Sequence, residues 1–366
     1  MSPRLPQFRR RLLAWYDQHH RRLPWRLSPN PESRTPNPTP NPYHTLVSEA
    51  MLQQTQVATV VPYFHRFLEA FPTLEALAAA EEQQVLRLWQ GLGYYRRARH
   101  LHAAAKAIVD RHAGRVPDTL DALLALPGVG RYTAGAVASI AFDRRVPILD
   151  GNVARVLARL FAVDEPIDQP TTRTALWELA EQVLPRQRVG DFNQALMELG
   201  ALVCTPRQPQ CLVCPLRGEC AAREAGREAE LPRRSPRKAP RAVRHVVAAI
   251  ERGGRYLFEQ RPSEGLWSNM WQLPTHEALD GEVADALPAW VAERYRLVCE
   301  AGEPCEPFTH QTTHRTIAFV VCPLRVNGGR LRPGRGVWRK LDALDDLPLA
   351  NPQRKVITML RQTPTD

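Results

Sequence analysis

The sequence predicts a chain in two parts, an all-helical domain followed by a small α+β domain. Three observations carry this reading. In the first half, apolar residues recur at steps of three and four: Leu46, Ala50, Met51 and Val57, then Leu74, Leu77, Val85, Leu88 and Trp89, and later Leu176, Leu179 and Val183. In the second half, strand-like runs at 243–250 and 255–260 flank Gly253-Gly254, a hairpin signal, and 316–321 is a further strand-like run. Between the halves, Cys204-x6-Cys211-x2-Cys214-x5-Cys220 places four thiols within seventeen residues.

A length of 366 residues is enough for two domains. The formal net charge of +11 and a pI near 9.7 point to a polyanionic partner, although basic charge is also common as plain solvated surface. No apolar run approaches the length of a membrane span, and residues 1–22 carry arginines with no apolar core behind them, so a soluble, cytoplasmic protein is expected. Cys299, Cys305 and Cys322 lack ligand spacing and read as ordinary thiols of a reducing compartment.

Four thiolates brought this close repel unless a cation holds them, so the cluster reads as a metal or iron–sulfur ligand set. Four-cysteine zinc sites usually show two C-x2-C hooks. Here Cys211 and Cys214 form one hook, and Pro215 follows it, which leans towards a [4Fe-4S] cluster held by Cys204, Cys211, Cys214 and Cys220.

Two proline-rich segments punctuate the chain. Residues 28–42 carry Pro29, Pro31, Pro36, Pro38, Pro40 and Pro42 and read as an exposed insertion of unassigned role. Residues 231–241 form a stiff, strongly basic linker that either lies along phosphates or is simply solvated. The expected domains are therefore 1–203, a cysteine loop at 204–230, the linker at 231–241 and a second domain at 242–366. Within the last, helices are expected at 285–295 and 351–361.

At 118–142 a short helix capped by Asp118 and running to Leu126, with Asp121 in its first turn, leads into Pro127-Gly128-Val129-Gly130. A helix rich in small residues, Ala134, Ala138 and Ala141, follows. Gly128 and Gly130 let the backbone turn and leave amides free at the next helix start, an anion site suited to one phosphate. This is a helix-hairpin-helix motif; a plain tight turn between helices is the alternative. It is not a dinucleotide fingerprint, because Thr133 stands where a third glycine is needed and no strand precedes it. Asp150 reads locally as an N-cap of the next helix, and Glu49, placed near the start of the helix carrying Gln53, Gln54 and Gln56, as a solvated residue.

A resemblance spans nearly the whole chain. Leu23-Pro24-Trp25-Arg26, Ser48-Glu49-Ala50-Met51-Leu52-Gln53-Gln54-Thr55-Gln56-Val57, Gly91-Leu92-Gly93-Tyr94-Tyr95, Leu126-Pro127-Gly128-Val129-Gly130-Arg131-Tyr132-Thr133-Ala134, Leu149-Asp150-Gly151-Asn152-Val153 and the cysteine cluster follow one another in the order seen in MutY-type adenine DNA glycosylases of the endonuclease III superfamily. The resemblance implies a helical glycosylase domain with a [4Fe-4S] loop and a Nudix-like recognition domain. It implies base-excision repair: adenine mispaired with 8-oxoguanine, or with G, is flipped out of double-stranded DNA and its N-glycosidic bond is hydrolysed. A monomer is expected, associated with the nucleoid if the source is bacterial.

The resemblance also assigns roles. Glu49 matches the acid that protonates the departing adenine and handles the water, which requires a site apolar enough to raise its pKa. Asp150 matches the carboxylate that stabilises the sugar cation, and its helix N-terminus is expected to help keep it ionised. Tyr132 stands where strand-nicking relatives place a lysine, so a monofunctional enzyme is expected, with the phenol near the sugar or Asp150. Gln54 and Tyr94 match residues that insert beside the lesion pair, though Tyr94 and Tyr95 read locally as core aromatics. Arg26 and Asn152 match pocket positions, Trp25 and Gln194 are expected contacts of the extruded base, and Arg207 and Arg217 are expected to offer charge to the DNA backbone. Phe308-Thr309-His310 matches the loop that senses 8-oxoguanine, with Thr309 in place of the usual serine. A Nudix hydrolase would need Gly-x5-Glu-x7-Arg-Glu, but counting six from Gly265 gives Trp271 and no Arg-Glu pair follows near Leu279-Asp280, so nucleotide hydrolysis is not expected. A non-catalytic iron–sulfur DNA-binding or redox-sensing protein is the alternative.

Overall fold

The computed structural model describes residues 5–26, 40–236, 239–278 and 286–362. The chain forms two compact units, one of Met1–Ala79 with His100–Pro236 and one of Ala80–Arg99 with Arg237–Asp366.

The helices of the first half are α1 (Leu5–His19), α2 (Pro42–Leu52), α3 (Val57–Ala70), α4 (Leu74–Ala79), α5 (Glu82–Trp89), α6 (Arg96–His112), α7 (Leu120–Leu124), α8 (Arg131–Phe142), α9 (Gly151–Leu160), α10 (Pro170–Val183), α11 (Val189–Leu202) and α12 (Ala221–Glu224). The helical unit is built around α8, which packs against both α2 and α11. Its small residues allow that approach: Ala134, Ala136 and Ala138 are fully buried, and a Cβ on Gly135 would lie 2.5 Å from the Pro147 carbonyl oxygen. Most of residues 28–42 falls outside the described residues, but the end of the insertion is not loop. Asn41 caps α2 by accepting from the Tyr43 and His44 amides at 2.8 and 3.3 Å, and Pro42 sits in the first turn, where its missing N–H costs nothing.

The helix-hairpin-helix is α7, a turn and α8. Gly128 has φ +72°, and a Cβ there would meet His100 at 2.3 Å, so a side chain is excluded twice over. Asp118 does not cap α7 as expected. The helix starts after Thr119 and ends at Leu124, while the Asp118 carboxylate pairs with Arg144, beyond the end of α8. A guanidinium in reach outcompetes the cap. Asp121 does sit in the first turn.

The second unit centres on a mixed sheet of β1 (Arg241–Arg252), β2 (Arg255–Gln260), β3 (Trp271–Gln272), β4 (Thr275–Ala278), β5 (Leu297–Ala301), β6 (Phe308–Gln311), β7 (Arg315–Gly329) and β8 (Val337–Arg339), with α13 (Leu287–Tyr295) and α14 (Asn351–Gln362). The Gly253-Gly254 hairpin forms as expected, and β1 runs parallel to β7 from Arg241↔Arg315 to Glu251↔Arg325. The pleat sends alternate β1 residues to two cores. Val247 and Ala249 join Val356, Ile357 and Leu360 of α14, while Val246, Ala248 and Ile250 join Leu287, Val291 and Tyr295 of α13. Asp285, Leu279 and Asp280 lie outside the described residues.

The segment Ala80–Arg99 is contiguous with the helical half in sequence yet belongs to this unit. Asn269 donates to Glu82 Oε1 at 2.6 Å, Trp271 Nε1 to Gln83 Oε1 at 3.0 Å, and the Leu349 amide to Gln90 Oε1 at 2.8 Å. This stretch falls inside the expected domain 1–203, and its bonding partners are far from it in sequence.

Candidate active site

Glu49 and Asp150 line one cavity of about 930 Å³ in the helical unit, together with Trp25, Arg26, Gln54, Tyr132, Asn152 and Gln194. Each arrives on a different element. Glu49 is three residues from the end of α2 rather than near the start of a helix carrying the glutamines, which instead fill the turn to α3, with Gln54 at φ 58°. Nor is Glu49 solvated; the packing of α2 on α8 leaves it 5% exposed.

Tyr132, in the first turn of α8, donates its hydroxyl to Glu49 Oε2 at 2.7 Å and reaches Met197 Sδ of α11 at 3.3 Å. The phenol is thus attached to Glu49, and it also feels the charge of Asp150, near which it was expected. Burial pushes the Glu49 carboxyl up to about 7, against the Tyr132 hydrogen bond and with help from the Asp150 charge. Burial likewise drives the Tyr132 hydroxyl far above its ordinary value, so it remains a donor.

Asp150 caps α9, as its local sequence predicts: Oδ1 accepts from the Val153 amide at 2.7 Å and Oδ2 from Asn152 Nδ2 at 2.9 Å. The Val153 amide at the helix N-terminus favours the Asp150 anion, but it is not the largest influence. Burial raises the Asp150 carboxyl above its ordinary value and outweighs the Val153 and Asn152 hydrogen bonds and the Arg155 charge, all of which favour the anion.

Several residues here carry no local sequence signal. Glu198, 1% exposed on α11, pairs with Arg21 and Arg26 at 2.9 Å each. Burial pushes its carboxyl up, but the Arg21 hydrogen bonds and Arg26 charge win and hold it below the ordinary range. A lone glutamate among apolar residues of α11 was the available clue. Arg155 donates to the Cys204 and Gly200 carbonyls at 2.7 Å each and to Asn152 Oδ1 at 2.8 Å. One turn on, Arg159 donates to the Leu231 and Thr205 carbonyls and, at 3.2 Å, to Cys204 Sγ. Thus α9, whose cap is Asp150, also anchors the cysteine loop.

Cys204, Cys211, Cys214 and Cys220 are half-buried free thiols. Among the described residues no group of three or more His, Cys, Asp or Glu side chains converges as on a single ion. The four nonetheless lie close enough to act on one another: burial pushes the Cys214 thiol up to about 12, and the charges of Cys204, Cys220 and Cys211 add to this. Four half-buried sulfurs that act on one another, with an arginine donor on one of them, fit a thiolate-bound metal group. Arg207 and Arg217 are exposed on this loop.

The remaining expected residues lie in the second unit. Tyr94 is 47% exposed at φ 48° with Arg97 over its ring, so it is no core aromatic, whereas Tyr95 is buried. Phe308, Thr309 and His310 form part of strand β6 and not a loop, paired with Phe319, Ala318 and Ile317 of β7. Phe308 stacks on Phe319 at 5.0 Å, leaving Thr309 exposed. Trp271, at the position where a Nudix glutamate is needed, is a half-buried β3 residue.

Residues 47–182 match the family model of the HhH-GPD superfamily base excision DNA repair proteins, and residues 245–359 match that of the NUDIX domain. An adenine DNA glycosylase of Buchnera aphidicola (subsp. Baizongia pistaciae) is 30% identical over 359 residues, 97% of each chain. The chain belongs to the adenine DNA glycosylase family. The Rattus norvegicus adenine DNA glycosylase is 50% identical over 218 residues, covering 59% of this chain and 42% of that protein, so the chain spans less than half of the length of this relative. The structure of a thermostable thymine-DNA glycosylase is 29% identical with a TM-score of 0.52, covering 60% of this chain and 97% of that one. Among the described residues no helix is long and apolar enough to cross a membrane.

Proposed function

We propose that the chain removes adenine mispaired with 8-oxoguanine, or with G, from double-stranded DNA as a monofunctional N-glycosylase. Its relatives, adenine DNA glycosylases, support adenine as the base and DNA as the substrate. The observation that carries the chemistry is that buried Glu49 and half-buried Asp150 line one cavity with unlike partners.

Burial and the Asp150 charge both raise the Glu49 carboxyl. Asp150 faces three groups that favour its anion, the Val153 amide, Asn152 and Arg155. Glu49 accepts one hydrogen bond, from Tyr132, so the proton resides on Glu49. With the extruded adenine in the cavity, Glu49 gives that proton to the base as the C1′–N9 bond breaks and its electrons leave with adenine. The deoxyribose cation forms against the Asp150 carboxylate. Water adds to C1′ and returns a proton to Glu49, yielding free adenine and an abasic site.

Tyr132 offers no amine for a Schiff base, which supports the absence of strand nicking. Gln54 and Tyr94 would fill the gap left by the base, Trp25, Arg26, Asn152 and Gln194 would contact it, and Phe308, Thr309 and His310 would read the opposite 8-oxoguanine. Gly128 and Gly130 would offer backbone amides to one phosphate. Cys204, Cys211, Cys214 and Cys220 would hold a [4Fe-4S] cluster, which would tie the loop together and would not supply the bond-cleaving chemistry. The test is single-turnover incubation with duplexes carrying A opposite 8-oxoguanine, G or T, then alkali to reveal abasic sites. Absence of cleavage on all three overturns the proposal.

A further inference from the structure

Five arginines line the cavity of Glu49 and Asp150: Arg21, Arg26, Arg155, Arg173 and Arg234. Three are committed. Arg21 and Arg26 pair with Glu198, and Arg155 bonds to Cys204, Gly200 and Asn152. Arg173 and Arg234 have no side-chain hydrogen bond or ion pair among the described residues, and both are exposed, which puts them at the mouth.

Their proximity has a structural cause. Residues 232–236 are not a free linker. The Ile167 amide donates to the Arg233 carbonyl at 3.0 Å, and the Ser235 amide to Asp168 Oδ1 at 2.9 Å. Arg234 is therefore clipped between two bonds beside residues 167–168, just ahead of α10, whose first turn carries Arg173. The neighbouring Arg233 is neutralised by Asp164 at 3.5 Å. Asp168 feels the Arg234 charge, yet its carboxylate is tied to Ser235. The fourteen-residue α10 opens at Gln169 without a side-chain cap and with Pro170 at its start, so Gln169 supplies no acceptor to its first amides.

We infer that Arg173, Arg234 and the open start of α10 form a clamp for a phosphodiester of the DNA strand whose nucleotide enters the cavity. Paired, uncommitted guanidinium forks beside a helix N-terminus match the charge and the tetrahedral oxygens of a phosphate. The inference rests on the DNA glycosylase reading. It makes the basic strap part of the binding surface of the helical unit.

The full chain and its Arg173→Ala, Arg234→Ala, double Ala, Arg234→Lys and Asp168→Ala variants are titrated with a duplex carrying a tetrahydrofuran abasic analogue opposite 8-oxoguanine, between about 50 and 200 mM salt. Each arginine-to-alanine change is expected to weaken binding roughly fivefold to tenfold and to reduce the slope of log K against log salt by about 1, while Arg234→Lys keeps the slope. Asp168→Ala, which frees the strap, moves in the same direction as Arg234→Ala. A single neutral methylphosphonate is then walked through the phosphates flanking the target. At one position it weakens wild type as much as the double variant does and costs the double variant nothing more. Unchanged salt slopes, failure of the wild-type chain to bind this duplex, or penalties that add in full at every position overturn the clamp. Binding that behaves as expected without adenine release overturns the glycosylase reading instead.

Discussion

The Tyr132 hydroxyl donates to Glu49 Oε2 at 2.7 Å, joining the hairpin helix α8 to the buried acid of α2 across 83 residues of sequence. The bond favours the carboxylate and so opposes the burial that raises the Glu49 pKa. Its removal acts in one direction. Tyr132→Phe raises the Glu49 pKa further, and the alkaline limb of the single-turnover pH profile moves to higher pH. At neutral pH the rate falls roughly tenfold, the scale of one hydrogen bond to a charged group. A limb that moves to lower pH refutes the role given to Tyr132.

Glu49→Gln is expected to lower single-turnover excision by about 10²–10⁴-fold. It also alters the dependence of stability on pH. The folded-state pKa of Glu49 is raised to about 7, so between its unfolded value and about 7 the native state binds more protons and stability falls as pH rises. The effect is bounded at roughly 3 kcal/mol, about 1.4 per pKa unit. The Gln variant loses this penalty, and thermal melts show it gaining on wild type between pH 5 and 8.

Asp150→Asn separates charge from structure. Asparagine caps a helix about as well as aspartate, so the bond to the Val153 amide is retained and stability changes by a few tenths of a kcal/mol. Excision falls by about 10²–10³-fold because the sugar cation loses its counter-charge. Melting curves beside single-turnover rates check both halves.

Thr309→Ala and His310→Ala are expected to lower the ratio of excision opposite 8-oxoguanine to that opposite G by roughly tenfold, with little change in rate opposite G. Equal losses on the two duplexes would remove β6 from recognition.

Cys214→Ser takes one donor from the set and leaves a buried hydroxyl. Iron bound per chain falls, and the loop held by Arg155 and Arg159 becomes susceptible to protease. Zinc in place of iron in the wild-type protein would refute the cluster.

Features set by neighbouring residues were legible in the sequence. Asp150 caps α9 through the amide three residues on, and Gly253-Gly254 turns β1 into β2. Features set by remote partners were not. Arg144 took Asp118 from its cap, and α8 buried Glu49. Arg155 and Arg159 read as ordinary positions of an amphipathic helix, and their partners on the cysteine loop lie more than forty residues away in the chain. The exposed Tyr94 shows the same limit in reverse, since an aromatic pair in an apolar run gives no sign of which ring turns outward.

The hold of Asn269, Trp271 and Leu349 on Glu82, Gln83 and Gln90 bears on how this protein divides. Cleavage between Pro236 and Arg237 would strip the C-terminal fragment of a stretch of polypeptide that completes it, while the N-terminal fragment kept that stretch without its hosts. Two genes split at the strap would therefore encode halves that need each other, and the natural modules of this chain are interleaved where its sequence makes them look consecutive.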